Sequence, residues 1–382
     1  MIRSIHADLV YTGSSVEENA WLLFDGNRIT GVSRTKRGTQ VGECAVITPA
    51  FIDAHSHIGM ARAAEPANEG EANEHMDILM PLPDALDSVQ LDDPSFADAI
   101  EMGVLYSCAL PGSGNIIAGR SAVIRHWAAD SSQALIARAG IKSAFGHNPR
   151  STGHWKGERP SSRMGTMAIL RARLDEVRQK DARYRAARGA KKKDITFTAA
   201  EQVLRDLITG KDRLRAHVHK IDDIASLLRV VDEFGLKLTI EHAMDVYDPA
   251  IFRELKKRRI PVVYGPLDSF AYKVELRHKH WSNVGHLIES GVECGLMTDH
   301  PVTPSRQLLL TTRWFIRQGY SRQQAIELIT RGNARILGID RHLGTLARTK
   351  WASFTCWNGD PFDLTRYPVA VYGEGEAVYE ES

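Results

Sequence analysis

A chain of 382 residues that is 43% hydrophobic and 25% charged can build one large domain with an accessory module, and its balance excludes a disordered, fibrous or membrane-embedded class. A formal charge of +2 is too small to argue for nucleic acid or an anionic membrane surface as a partner. The cysteines Cys44, Cys108, Cys294 and Cys356 form no CxxC pair, so neither a disulfide framework nor a thiolate metal site is indicated.

The stretch MIRSIHADLVYTG has no long apolar core, and no later window reaches the roughly 18 apolar residues of a spanning helix. The expectation is a soluble, cytoplasmic protein. Residues 1–48 read as short strands, with Asp25, Gly26 and Asn27 as the turn of a hairpin inside WLLFDGNRITGVS. VITPAFIDAHSH then reads as one strand that leads out of this module. Beyond it, apolar runs alternate with helix-like stretches. GVLYSCALPG, IKSAFGHNP, LRAHVH, LKLTIEHA, IPVVYGPL and GLMTDHP are expected strands, each ending in a loop rich in Gly, Pro, Asn or His. IDDIASLLRVVDEFG repeats its apolar residues at three- and four-residue steps, as a crossover helix does.

Repeated strand-then-helix units over about 290 residues predict an α/β fold, a (β/α)8 TIM barrel. A doubly wound open sheet is the alternative, but no GxGxxG turn opens a helix. The segment from about 155 to 210 carries a long charged helix, RMGTMAILRARLDEVRQKDARYRAAR, expected outside the barrel or over its mouth. The last 40 residues return to strands in WASFTCWNGDPFD. The predicted domains are 1–48 and 340–382 as two parts of one small β-sandwich, and 49–339 as the barrel.

Barrels of this kind act at the carboxyl ends of their strands, and that is where the histidines fall. His55 and His57 are two residues apart on one strand end, so both rings can face a common point. A lone HxH is weak evidence. His217 and His219 repeat it, however, and His242 and Asp299 end two further strands, in a chain with only 15 histidines. Imidazoles with a carboxylate suit zinc, iron, manganese or nickel rather than calcium.

These stretches carry a resemblance. PAFIDAHSHIG, ALPGSGNIIAG, SSRMG, HVHKIDDI, IEHA, TDHPV, NARILGIDRHLGTL and WNGDPFD follow, in order, the pattern of the amidohydrolase superfamily and its imidazolonepropionase-like members. The resemblance implies a catalytic metal held by His55, His57, His217 and Asp299, with His242 as a further ligand or substrate contact. His219 is then expected to touch substrate. Many members hold a second ion through a carboxylated lysine or a glutamate. Here His147 stands at the candidate position and Lys142 lies deeper in its strand, so one Zn2+ is expected, with Fe, Mn or Ni as alternatives and His147 as ligand or substrate contact.

The implied activity is hydrolysis of a C–N amide bond by hydroxide generated on the metal. Asp299 would handle the water's proton, His242 or His219 would polarise the carbonyl, and Asn115 with the backbone of PGSGN would meet the substrate. Family members also trim peptides, as in removal of the follower peptide next to a thiazoline in bottromycin biosynthesis. The implied partner is therefore a peptide or small molecule. Cyclic amide or imidazolone hydrolysis and deamination are the alternatives, and a non-catalytic binding module is a further one.

Overall fold

The computed structural model describes residues 1–63 and 65–381. Four strands form first: β1 (Arg3–Tyr11), β2 (Val16–Asp25), β3 (Arg28–Ser33) and β4 (Thr39–Pro49). The expected hairpin is β2–β3, with Gly26 at φ 53°, a left-handed position that suits glycine in so tight a turn. VITPAFIDAHSH is cut at Ala50. Its first part belongs to β4 in the small sheet, and Phe51–Ser56 is β5, where the large sheet begins.

That large sheet has eight strands in chain order: β5, β6 (Val104–Ala109), β7 (Ile117–Arg125), β8 (Leu135–Ala144), β9 (Arg213–Val218), β10 (Lys237–His242), β11 (Val262–Tyr264) and β12 (Cys294–Leu296). Its two edges meet just beyond the strand ends. The Asp299 amide donates to the His55 carbonyl at 3.1 Å, and the His57 amide to the His300 carbonyl at 3.0 Å, so the sheet is a nearly closed barrel.

Sequence reading missed β7, and the expectation of uniformly parallel strands needs correction there. β7 runs antiparallel to both neighbours, while the other pairings are parallel. The reason lies in its connections. Only residues 110–116 link β6 to β7, enough for a hairpin but too few for the helical crossover that parallel neighbours require.

Helices pack outside. Arg163–Ala186 forms as expected, and its buried Leu170, Leu174 and Val177 join Leu204, Leu227 and Phe234 in the main core. Its charged face meets the helix Ile221–Phe234 through Arg171 and Glu233 at 2.6 Å. Both chain ends contribute to one seven-stranded sheet, completed by β13 (Phe354–Trp357), β14 (Pro368–Gly373) and β15 (Glu376–Glu380). β13 pairs with β4, which joins the termini directly. Among the described residues no helix is long and apolar enough to cross a membrane.

Candidate metal centre

The barrel places the sequence-predicted histidines at one end. His55 ends β5 with His57 just beyond it, His217 is in β9 with His219 after it, and His242 closes β10. Their rings form a chain across the interior, with centroids 4.8 Å apart for His55–His242, 4.2 Å for His242–His217 and 4.8 Å for His217–His219. The potential ligand atoms separate into two groups. His55, His57 and Asp299 make one, and His217, His219 and His242 the other, each with its atoms within 4.8 Å of one another.

Donor orientation fits a cation. Nδ1 of His57 lies 2.7 Å from the Leu110 carbonyl, Nδ1 of His242 lies 2.9 Å from the Gly265 carbonyl, and Nδ1 of His55 lies 3.0 Å from Glu241 Oε2. An imidazole that donates from Nδ1 keeps its lone pair on Nε2, so these contacts fix the tautomer a metal requires. Two ligands each 2.1 Å from one tetrahedral ion stand about 3.4 Å apart. His55 Nε2 and His57 Nε2 are 3.4 and 3.3 Å from Asp299 Oδ1. Nε2 of His242 is buried without a hydrogen-bond partner.

Burial keeps the rings neutral, which is the form that binds metal. It lowers the pKa of His57, takes His219 down to about 4 and holds His217 and His242 well below the ordinary value. For Asp299 burial acts upward, yet the imidazoles of His242, His55 and His57 that surround it keep its carboxyl well below the usual range. The backbone is strained at the same place. His242, Ala243 and Asp299 take φ of 76°, 55° and 53°, each costing on the order of 1–3 kcal/mol for a residue other than glycine.

Three supporting residues escaped sequence reading, and a fourth was set aside by it. Glu241 and Arg215 are fully buried and paired at 3.0 Å, and Glu241 also orients His55. Ser113 Oγ lies 2.9 Å from His217 Nδ1. Lys142, judged too deep in its strand, brings Nζ to 3.5 Å from His55 Nε2, and burial lowers its pKa to about 8. Adjacency in IEHA and PGSGN was the only signal available for Glu241 and Ser113.

Other expected contacts fall elsewhere. His147 joins neither group of ligand atoms; its backbone amide donates to Glu275 Oε2 at 2.8 Å. The neighbouring Asn148 is the residue whose amide nitrogen stands 3.2 Å from His217 Nε2. Asn115 is engaged by the Glu74 carbonyl and by Arg159, a tie between loops. Two of the PGSGN amides are committed within the fold as well, Gly112 to the Ala72 carbonyl and Gly114 to Asn73. A cavity of about 370 Å³ lined by Met60, Glu71, Asn73, Glu74 and Pro111 flanks this end of the barrel. The larger one, about 620 Å³, lies at the opposite end, by Arg213, Lys237 and Arg258.

A nearly closed α/β barrel with histidines and an aspartate converging on its strand ends is an architecture that can hold a metal ion. The sequence model of the amidohydrolase family, Amidohydro_3, matches residues 198–379. The chain is 28% identical to an amidohydrolase from Thermotoga maritima MSB8, with a TM-score of 0.92 over 99% of this chain and 100% of that one. It is 24% identical to the amidohydrolase tasK of Hapsidospora irregularis over 98% of its own length, but spans only 43% of that protein. The fold alone is shared with a prolidase solved with N-methylphosphonate-L-proline, at 15% identity, a TM-score of 0.64 and full coverage of both chains. The chain is thus similar to amidohydrolases along nearly its whole length, and residues 198–379 match their family model.

Proposed function

We propose that this protein is a metal-dependent hydrolase of a C–N amide bond, with His55, His57, His217, His242 and Asp299 as ligands. The observation that carries the reading is the set of imidazoles anchored at Nδ1, with Nε2 atoms turned to Asp299 or left unpaired in a buried interior. Zn2+ is the ion we assign. The separation of the donors into two groups supports a pair of ions rather than the single one expected. A bound divalent ion of this kind supplies Lewis acidity and a water of lowered pKa.

The chain's own groups do the rest. Asp299 would take the proton of the attacking water and return it to the departing nitrogen. His242 or His219, whichever is free of the ion, would polarise the scissile carbonyl. Glu241 and Ser113 hold His55 and His217 in the productive tautomer, and Lys142 sets a cation beside His55. Asn148 rather than His147 brings a polar side chain to His217, and Asn115 ties the neighbouring loops together.

We read the architecture as a (β/α)8-type barrel with one reversed strand over residues 49–339 and one β-sandwich formed by 1–48 and 340–382. The substrate proposed is a peptide or acyl-amino acid, a modified peptide with a thiazoline included; a cyclic amide or imidazolone is the second choice. The test is a screen of the metal-loaded protein on dipeptides, acyl-amino acids, cyclic amides and thiazoline peptides, with metal analysis alongside. Release of amine that a chelator abolishes and added metal restores is expected. A protein that takes up no transition metal, or whose turnover survives Asp299→Asn, refutes the reading.

A further inference from the structure

The strap that connects β11 to the helix Val284–Ser290 carries one acidic residue at its tip, Glu275, which is buried together with Leu276 while residues leading up to it are exposed. Phe270, Tyr272 and Val274 are 78%, 50% and 69% exposed, whereas Glu275 is 2% exposed. Burying a carboxylate and exposing three apolar side chains reverses the ordinary preference of a surface loop, so something inside must take up that charge.

The strap is anchored on both sides. Asp268 receives both arms of Arg313, at 2.6 and 3.1 Å, and the Trp314 indole at 2.9 Å. On the other side His278 Nδ1 lies 3.2 Å from Asp245 Oδ2, and Lys279 Nζ ties the two sides together on Ser269 Oγ at 2.6 Å. Between these anchors Glu275 turns inward over Gly146. Its Oε2 accepts the His147 amide at 2.8 Å, and a Cβ on Gly146 would stand 2.7 Å from that oxygen. Gly146 also has φ 83°, so the position under the carboxylate is reserved for glycine twice over.

The other oxygen has no hydrogen bond although it is buried. It lies 3.6 Å from His217 Nε2, 3.9 Å from His219 Nε2 and 3.8 Å from Lys273 Nζ. The first two separations are close to the about 3.4 Å between co-ligands of a tetrahedral ion, and too long for hydrogen bonds. His219 Nδ1 and His242 Nε2 are likewise unpaired.

We propose that Glu275 is the carboxylate ligand of an ion held by His217, His219 and His242, delivered to the barrel by the strap after β11. The assignment rests on the metal-dependent reading above and extends it, since it gives the second donor group a carboxylate of its own, as Asp299 gives the first. It also makes the strap part of the centre, so a ligand that displaces the exposed aromatic tip acts on the metal.

The experiment compares the wild-type full chain with Glu275→Gln and Glu275→Asp. Each is stripped by chelation and titrated with Zn2+, and with Co2+ for its visible spectrum. Gln keeps an oxygen for the His147 amide and removes the charge; Asp keeps the charge on a shorter arm. Expected are two ions per wild-type chain, with one bound at least tenfold more weakly in both variants and an altered Co2+ band. Thermal melting of the stripped proteins checks that each variant is folded. Wild-type affinity and an unchanged Co2+ spectrum in a folded Glu275→Gln or Glu275→Asp chain overturn the assignment and leave Glu275 as a brace. A wild-type chain that binds no ion overturns the metal-dependent reading itself.

Discussion

His55 and Asp299 meet across the seam of the barrel. The Asp299 amide donates to the His55 carbonyl, and Oδ1 of the same aspartate stands 3.4 Å from His55 Nε2. One pair of residues therefore closes the sheet between its first and last strands and places a carboxylate against the first imidazole.

Asp299→Asn separates those two roles. Asn accepts the left-handed backbone that Asp299 occupies at φ 53°, so the fold is expected to persist, with a melting temperature near wild type. Loss of the anionic ligand and proton carrier is expected to cut turnover by about 10²–10⁴-fold and to lower bound metal. Steady-state kinetics with elemental analysis of the same sample reads both.

Glu241→Gln is expected to damage stability rather than chemistry alone. Glu241 and Arg215 are both fully buried, and removal of the carboxylate leaves the guanidinium without its counter-charge, a loss of about 3–5 kcal/mol. Urea unfolding measures it. The double change with Arg215→Met is expected to recover part of the loss, and full additivity of the two changes would contradict the coupling.

Ser113→Ala removes the group that orients His217. The expected result is a fold stability within about 1 kcal/mol of wild type and metal affinity weaker by roughly 10–100-fold, as for other supports of metal-bound histidines. Chelator competition is the measurement.

Acid sensitivity follows from a histidine remote from the centre. His126 is buried beside Phe96, and burial lowers its pKa to about 3 against 6.5 in an unfolded chain. The unfolded state then binds the extra proton, so the stability it contributes is complete above pH 6.5 and falls as pH drops from there towards 3. Between pH 6.5 and 4.5 the loss is about 2 kcal/mol. Unfolding of metal-free protein at both pH values is expected to show a shallower drop in His126→Gln; an equal drop would assign the sensitivity elsewhere.

The donors His55, His57, His217, His242 and Asp299 could be read from the sequence because each sits in a local pattern at the end of an apolar run. A strand's two-residue period turns such a pattern into a shared direction. The strap's Glu275 has no such pattern around it, and nothing in KVELRH separates it from a solvated glutamate. Its place depends on a loop anchored to Arg313 and Trp314 and on the space above Gly146.

β7 makes the same point for the fold. Its residues IAGRSAVIR pair with strands on both sides, yet its direction is set by the brevity of the link from β6. The sequence alone determined that an α/β barrel would present imidazoles and an aspartate at its strand ends, because periodicity and residue type are local properties. Only the tertiary structure decided how those donors divide between two groups, and which of Lys142, Asn148, Glu241 and Glu275 reach them, because these contacts join residues from 58 to 186 positions apart.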